Sequence, residues 1–169
     1  MKNNKCLMMF ASALCLLGLL GLGECVEPNL IVEGKVYCDT CRAQFVTKAS
    51  VYMKDARVRL ECSESEKGKV IYSAEAVTDA TGTYRIPVSG EHEDDICAIE
   101  LVKSSDPECS EINSEPYQKL SARISLTTNN GIASNVRQAN PLGFLKKTPL
   151  PQCKDVLKQM GLTPEDLNN

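Results

Sequence analysis

The stretch that decides the fold is Val32-Glu33-Gly34-Lys35-Val36-Tyr37-Cys38-Asp39-Thr40-Cys41-Arg42. Strand side chains alternate between two faces with a period of two. The first face of this stretch carries Val32, Gly34, Val36 and Cys38, and the second carries Glu33, Lys35 and Tyr37. The alternation predicts a β-strand with one dry face and one wet face.

Two cysteines lie at the end of this strand. The polar pair Asp39-Thr40 between them favours a turn, so Cys41 need not point in the same direction as Cys38. We therefore expect an anchor strand that is bonded to two distant parts of the chain. Tyr37 is expected on the outer face, and Tyr72 lies in a run whose pattern does not define the outward positions. Each is either a contact for a partner or ordinary half-exposed packing.

The N-terminal residues have the pattern of a secretory signal peptide. Lys2 and Lys5 precede an uncharged apolar run over residues 6–22, and small residues follow it. The alternative is a membrane anchor, but the run is shorter than the ~20 residues that a spanning helix needs. We therefore expect a secreted protein.

The predicted cleavage divides the 169-residue chain into two parts. Cleavage after Gly23 or after Cys25 fits the pattern, and we assign residues 1–25 to the signal peptide and residues 26–169 to one β domain. Cleavage after Cys25 leaves six cysteines. In an oxidising compartment, six cysteines most simply form three disulfides. We expect a soluble domain that these disulfides staple together.

The charge balance limits the class of partner. The chain carries 19 Lys and Arg against 22 Asp and Glu, a formal net charge of −3. A mildly acidic surface offers nucleic acid no electrostatic footprint. We expect no nucleic-acid partner, and the lack of a second long apolar run in the sequence predicts no stable membrane insertion.

Several later segments have the patterns of strands, and they are residues 57–62, 70–77, 83–88, 97–101 and 122–127. By parity Cys62 and Cys97 both face inward, so they form a natural pair across the core. Gly82 fits a tight turn, and Pro87, which cannot donate to a ladder, indicates an edge strand or a bulge.

The spacing of apolar residues changes near the end of the chain. Residues 136–145 are expected to be irregular, because Pro141 and Gly143 interrupt any regular element. After them an apolar stripe at helical spacing, stopped by Gly161, comprises Cys153, Val156, Leu157 and Met160. These elements predict an all-β fold, a disulfide-stapled β-sandwich or partly closed barrel of about seven strands with a short C-terminal helix.

The CxxC spacing of Cys38 and Cys41 also occurs in thiol oxidoreductases and in half of a zinc site. A redox pair needs its first cysteine near a helix N-terminus, whereas a strand precedes this one and residues 43–47 show no helical stripe. A zinc site needs a second ligand pair, and the sequence has no other CxxC or CxxH. We therefore favour structural disulfides and expect no metal and no other cofactor.

His92 is the only histidine, so any histidine-dependent mechanism would have to use it. It lies in a charged segment, residues 90–95, with no apolar wall to form a pocket, and we expect a solvated loop histidine. The carboxylates of this segment lack the Asp-x-Asp-x-Asp-Gly spacing of a calcium loop, which favours a solvated turn; they are Glu91, Glu93, Asp94 and Asp95. We expect no catalytic residue.

The motif at the anchor strand resembles the pollen Ole e I (olive pollen allergen) and extensin-like family of secreted plant proteins. The residues of this chain that carry the motif are Gly34, Val36, Tyr37, Cys38, Asp39, Cys41 and Arg42. Further matches lie at residues 78–84, 140–144 and 149–153 and in the order of six cysteines. The resemblance covers essentially the whole mature chain.

The resemblance also implies a disulfide connectivity. Parity alone pairs Cys62 with Cys97 and leaves three possible pairings of the other four cysteines, one of which joins Cys38 to Cys41. The pairs that the resemblance implies are Cys38–Cys109, Cys41–Cys153 and Cys62–Cys97.

In function, the resemblance implies a non-enzymatic protein of the extracellular space or cell wall, associated with pollen hydration, germination or tube growth, with many relatives known as allergens. Such a binding or signalling factor would be a monomer whose partner is a receptor-kinase ectodomain or a cell-wall polysaccharide. One alternative is a cell-wall polysaccharide-binding or structural module. Another is a CxxC thiol oxidoreductase, which requires Cys38 and Cys41 to be free or bonded to each other.

The predicted processing and cysteine pairing are tested together by intact mass and non-reducing peptide mapping of the secreted protein. We expect a chain that lacks the signal peptide and in which Cys38 and Cys41 are each linked to a remote peptide. A peptide in which Cys38 and Cys41 are linked to each other would refute the anchor hypothesis and favour the thiol oxidoreductase.

Overall fold

The computed structural model describes residues 30–113, 121–128, 131 and 134–162. The predicted signal peptide therefore lies outside the described residues. Within the described part, no helix is long and apolar enough to cross a membrane.

The described residues form nine strands in two sheets and one short C-terminal helix. The elements are β1 (Leu30–Asp39), β2 (Val51–Tyr52), β3 (Arg57–Ser63), β4 (Val70–Val77), β5 (Thr83–Val88), β6 (Ile96–Lys103), β7 (Ala122–Ile124), β8 (Val136–Gln138), β9 (Leu142–Leu145) and α1 (Cys153–Gln159). The predicted all-β class with a short C-terminal helix is confirmed. Two of the nine strands, β8 and β9, lie where an irregular segment was expected.

β1 is the central strand of the first sheet. Its first half pairs with β5 antiparallel and with β8 parallel, and its second half pairs with β2 antiparallel and with β9 parallel. The inward alternation is as predicted, with Val32 and Val36 fully buried. Four other strands are therefore positioned by the register of this one strand.

The second sheet has the strand order β4-β3-β6-β7 and packs its inner face against the first sheet. Val58 and Leu60 of β3 are fully buried with Ile86 of β5 in one core. In the described part β5 pairs only with β1, so the prediction that Pro87 marks an edge strand is confirmed. β7 is shorter than predicted and ends at Ile124.

The expectation of an irregular segment over residues 136–145 is wrong. Pro141 separates the two short strands β8 and β9, and Gly143 lies inside β9 rather than ending it. Glycine is required there because a Cβ would lie 2.6 Å from Cζ of Tyr37. Strands of three and four residues are too short for their alternation to be evident in the sequence.

The helix α1 follows the predicted stripe over most of its length. Cys153 and Leu157 are buried, Val156 is half-buried and Gly161 follows the helix with a φ of 76°. Met160 is exposed, so its predicted place on the buried stripe is wrong. The buried side packs on a second, smaller apolar cluster that includes Cys41 and Ala43 beside β1.

Replacing Gly143 by alanine tests the packing of Tyr37 on β9. We expect a loss of about 1–3 kcal/mol in the free energy of unfolding, because an extra methyl group in a packed core has this cost. The measurement is the urea midpoint at constant m value. Gly68→Ala is the control, because its new methyl meets only Ser65 of an exposed turn: the hydroxyl at 2.8 Å, which can rotate, and the backbone at 3.1 Å. Equal midpoints for the two variants would contradict the position of the Tyr37 ring.

Candidate functional site

The anchor at the end of β1 consists of two disulfides that lead to different parts of the molecule. Cys38 is bonded to Cys109, with Cα atoms 5.9 Å apart, and lies in the main core. Cys41 is bonded to Cys153 at the start of α1, with Cα atoms 5.3 Å apart, and lies in the second cluster. One turn of the chain is thereby tied to the segment after β6 and to the C-terminal helix.

The third disulfide, between Cys62 and Cys97, joins neighbouring strands of the same sheet. The two residues are register partners on β3 and β6, with Cα atoms 4.1 Å apart. The expectation of a bridge across the core is therefore wrong. Parity gives the face on which a cysteine lies, but it does not give the strand that lies beside it.

The pairing also bears on the chemistry of the CxxC motif. In the structure neither Cys38 nor Cys41 is a free thiol, and they are not bonded to each other. The requirement of the thiol oxidoreductase hypothesis is therefore not met. Among the described residues, no group of three or more His, Cys, Asp or Glu side chains could hold a metal ion.

Asp39 is the residue that shapes the turn between the two cysteines. Its side chain is fully buried, and its carboxylate accepts hydrogen bonds from the amides of Cys41 (3.2 Å) and Gln44 (2.6 Å). Arg42 and Gln44 have positive φ angles of 56° and 64°, a conformation that is costly for residues other than glycine. The charged acceptor offsets this cost because hydrogen bonds to an ionised group are stronger than neutral ones.

Arg42 fastens the same turn to two other segments. Its Nη1 donates to Glu111 Oε2 at 2.5 Å and to the carbonyl oxygen of Lys146 at 2.8 Å. Glu111 follows Cys109, and Lys146 follows β9, so one guanidinium links three parts of the chain. The motif residues Asp39 and Arg42 thus stabilise the anchor, a role that the sequence did not indicate.

Two tyrosines, Tyr84 of β5 and Tyr37 of β1 itself, each pack on a glycine of a neighbouring strand, on opposite faces of the first sheet. Tyr84 packs on Gly34, and Tyr37 packs on Gly143 and is only 2% exposed, so the prediction that Tyr37 is an outer contact residue is wrong. Burial raises the pKa of Tyr37 to about 12, and the nearby Asp39 carboxylate contributes to the rise. Burial also raises the pKa of Tyr84, whose buried hydroxyl has no hydrogen-bond partner among the described residues.

The segment that the anchor supports, residues 42–52, is named here the anchored loop. The Thr40 hydroxyl donates to the Ala49 carbonyl oxygen at 2.8 Å, and Thr47 and Ser50 close a turn through the Ser50 amide and the Thr47 carbonyl at 3.1 Å. Four large apolar side chains of this loop are exposed, and they are Phe45, Val46, Val51 and Tyr52. In the sequence, the only sign of this surface is a group of apolar residues without helical or strand spacing.

His92 lies in a local network rather than free in solvent. Its Nδ1 is 2.8 Å from Asp95 Oδ2, its Nε2 is 3.0 Å from the Ser89 carbonyl oxygen, and its ring lies 4.4 Å from that of Tyr72. Its side chain is only 11% exposed, so the expectation of a solvated histidine is wrong. Neither ring nitrogen is hydrogen-bonded to a serine or cysteine side chain of the described segments, as a histidine-activated nucleophile would require.

The expectation that no apolar wall lies near His92 is also wrong. Leu30, Val88 and Leu126 line a cavity of about 300 Å³ beside it. Glu93 at its mouth accepts hydrogen bonds from the side chain and the amide of Thr128, and these hold the pKa of Glu93 below its usual value. The cavity lies between the ends of the two sheets, next to the acidic segment.

A two-sheet β domain whose CxxC motif is a structural anchor is the class of protein that this fold and site define. The family model described as "Pollen protein Ole e 1 like" matches residues 28–161. This chain belongs to that family.

Individual relatives agree over nearly the whole chain. It is 58% identical to an "Olee1-like protein" of Betula pendula over 163 residues, which are 96% of this chain and 98% of that protein. It is 52% identical to "Pollen allergen Che a 1" of Chenopodium album, over 96% of each chain. The crystal structure of the major plantain pollen allergen Pla l 1 is similar with a TM-score of 0.66 at 42% identity, over 73% of this chain and 98% of that one.

Replacing Asp39 by asparagine tests the role of the buried carboxylate. We expect a loss of about 1–3 kcal/mol in the free energy of unfolding, because the amide group presents a donor toward one of two backbone N–H groups. Faster tryptic cleavage after Lys48 should accompany it, since Lys48 lies in the loop that Asp39 orders. Asp55→Asn, at an exposed position, is the control. Similar stabilities of the two variants would refute the role of Asp39.

Proposed function

We propose that this chain is a secreted, pollen-associated protein that acts by binding and not by catalysis. The observation that supports it best is the state of the CxxC motif, whose two cysteines are separate structural anchors. The family adds support, because the relatives are named pollen allergens and pollen-specific proteins and not enzymes. An allergenic character of this chain is part of the same proposal.

The proposed location is the extracellular space or the cell wall. The predicted signal peptide and three disulfides support it, because disulfides form and persist in oxidising compartments. The proposed process is pollen hydration, germination or tube growth, and the proposed partner is the ectodomain of a receptor kinase. A relative of 45% identity carries the name "Anther-specific protein LAT52" in Solanum lycopersicum.

The experiment is complementation in pollen in which expression of this chain is reduced. We expect shorter pollen tubes, restored by the wild-type chain and by His92→Gln, because no step of the proposed function uses the histidine as a catalyst. A chain without residues 2–25 should not restore growth, because it would not reach the extracellular space.

One double variant refines this test. Cys41→Ser with Cys153→Ser removes the staple behind the anchored loop and leaves Cys38–Cys109 and the main core in place, so we expect a folded protein with reduced rescue. Full rescue by the chain without its signal peptide, or loss of rescue with His92→Gln at unchanged stability, would refute the proposal.

A further inference from the structure

In the described part of the chain, the exposed large apolar side chains are most frequent in one short segment. Nine large apolar residues are exposed in the described part, and four of them lie in residues 45–52. Val51 is 59% exposed and Tyr52 is 44% exposed, although both belong to a strand. Clustered exposed apolar side chains are typical of interaction sites, whereas scattered ones are not.

The segment that carries these exposed apolar side chains is held in place by neighbouring elements. The turn over Thr47–Ser50 places Val46 at one end and Val51 at the other end of the same chain reversal. β2 pairs with β1 on one side, and the Cys41–Cys153 disulfide ties the start of the loop to α1. A surface that is ordered before binding loses little conformational entropy when a partner docks.

The segment that contains the anchored loop is basic in sequence, whereas the whole chain is acidic. Residues 40–54 contain three basic side chains and no acidic one, in a chain of formal net charge −3. Arg42 and Lys54 form ion pairs with Glu111 and Asp55. Lys48, at the tip of the loop, makes no ion pair with another described residue, and Lys35 lies 4.6 Å above the Tyr52 ring.

We propose that the anchored loop, together with Lys35, is a docking surface for a protein segment that has an apolar centre flanked by carboxylates. The exposed apolar side chains of the loop contact that centre, and Lys48 and Lys35 pair with the flanking carboxylates. The inference rests on the proposed binding function and assigns it a surface and a partner chemistry.

Two other kinds of partner fit this surface less well. An acidic polysaccharide would stack on open aromatic faces, but one face of Tyr52 is occupied by Lys35, and Phe45 is the least exposed of the four apolar side chains. Binding to an anionic membrane is favoured by only about 1 kcal/mol of free energy for each lysine near its surface. Apolar side chains in a fixed arrangement gain most from a complementary apolar protein segment, because its contacts remove them from water at little entropic cost.

The test uses a random peptide library displayed on phage, selected on the folded wild-type chain. We expect enriched peptides with an apolar centre flanked by Asp or Glu, whose binding weakens as ionic strength rises. Phe45→Ser, Val51→Ser and Lys48→Glu should each lower the affinity by about tenfold or more. The matched controls are Val70→Ser, Ile71→Ser and Lys67→Glu, which alter exposed residues near or within β4 and should leave the affinity unchanged.

Several outcomes overturn the inference. The first is a selection that enriches no acidic peptides whose binding requires the anchored loop. The second is an equal loss of affinity in the control variants. The third is loop-dependent binding to polygalacturonate beads or phosphatidylserine vesicles instead of peptides. The proposed function is judged separately, because loop variants that lose no rescue in pollen would refute the docking surface and leave the secreted binding protein in place.

Discussion

Two cysteines three positions apart lead into different parts of the molecule, and the end of β1 depends on this divergence. Cys38 follows the strand alternation into the main core, whereas the turn ordered by the Asp39 carboxylate directs Cys41 into the second cluster. Their partners lie 71 and 112 residues away in sequence. In the chain-entropy model, closing loops of this length strongly restricts the unfolded chain. The two disulfides at this turn therefore provide much of the stabilisation that disulfides give this domain.

The same strand is packed on both faces, and this accounts for the other motif residues. Gly34 gives room to Tyr84 between the sheets, and Gly143 gives room to Tyr37 on the opposite side. Each pair joins a glycine and a tyrosine from different strands, so a change at either member opens a cavity or forces a clash. The motif is therefore a packing and stapling device. Its length and specificity reflect the number of segments that meet at β1 rather than a catalytic requirement.

This use of the motif determines which surfaces are left for function. The two residue types that could have supported nucleophilic chemistry, the CxxC cysteines and His92, are held in disulfides and in a local hydrogen-bond network. The anchored loop, in contrast, remains available for contacts. The disulfides, Asp39 and the Thr40 hydroxyl order its backbone, while its apolar side chains face solvent. The motif residues therefore hold this loop in place, which agrees with the proposed binding function.

The sequence by itself determined the elements whose signal is local. The alternation in β3 and β5, the positive φ at Gly82 and the start of α1 at Cys153 all follow from side-chain periodicity and turn chemistry within a few residues. Tertiary structure decided the rest. β8 and β9 are strands only because β1 lies beside them, Tyr37 is buried only because Gly143 is its neighbour, and His92 meets an apolar wall only where the ends of two sheets converge. These features depend on contacts between residues distant in sequence, and periodicity contains no information about which distant segment will be the neighbour.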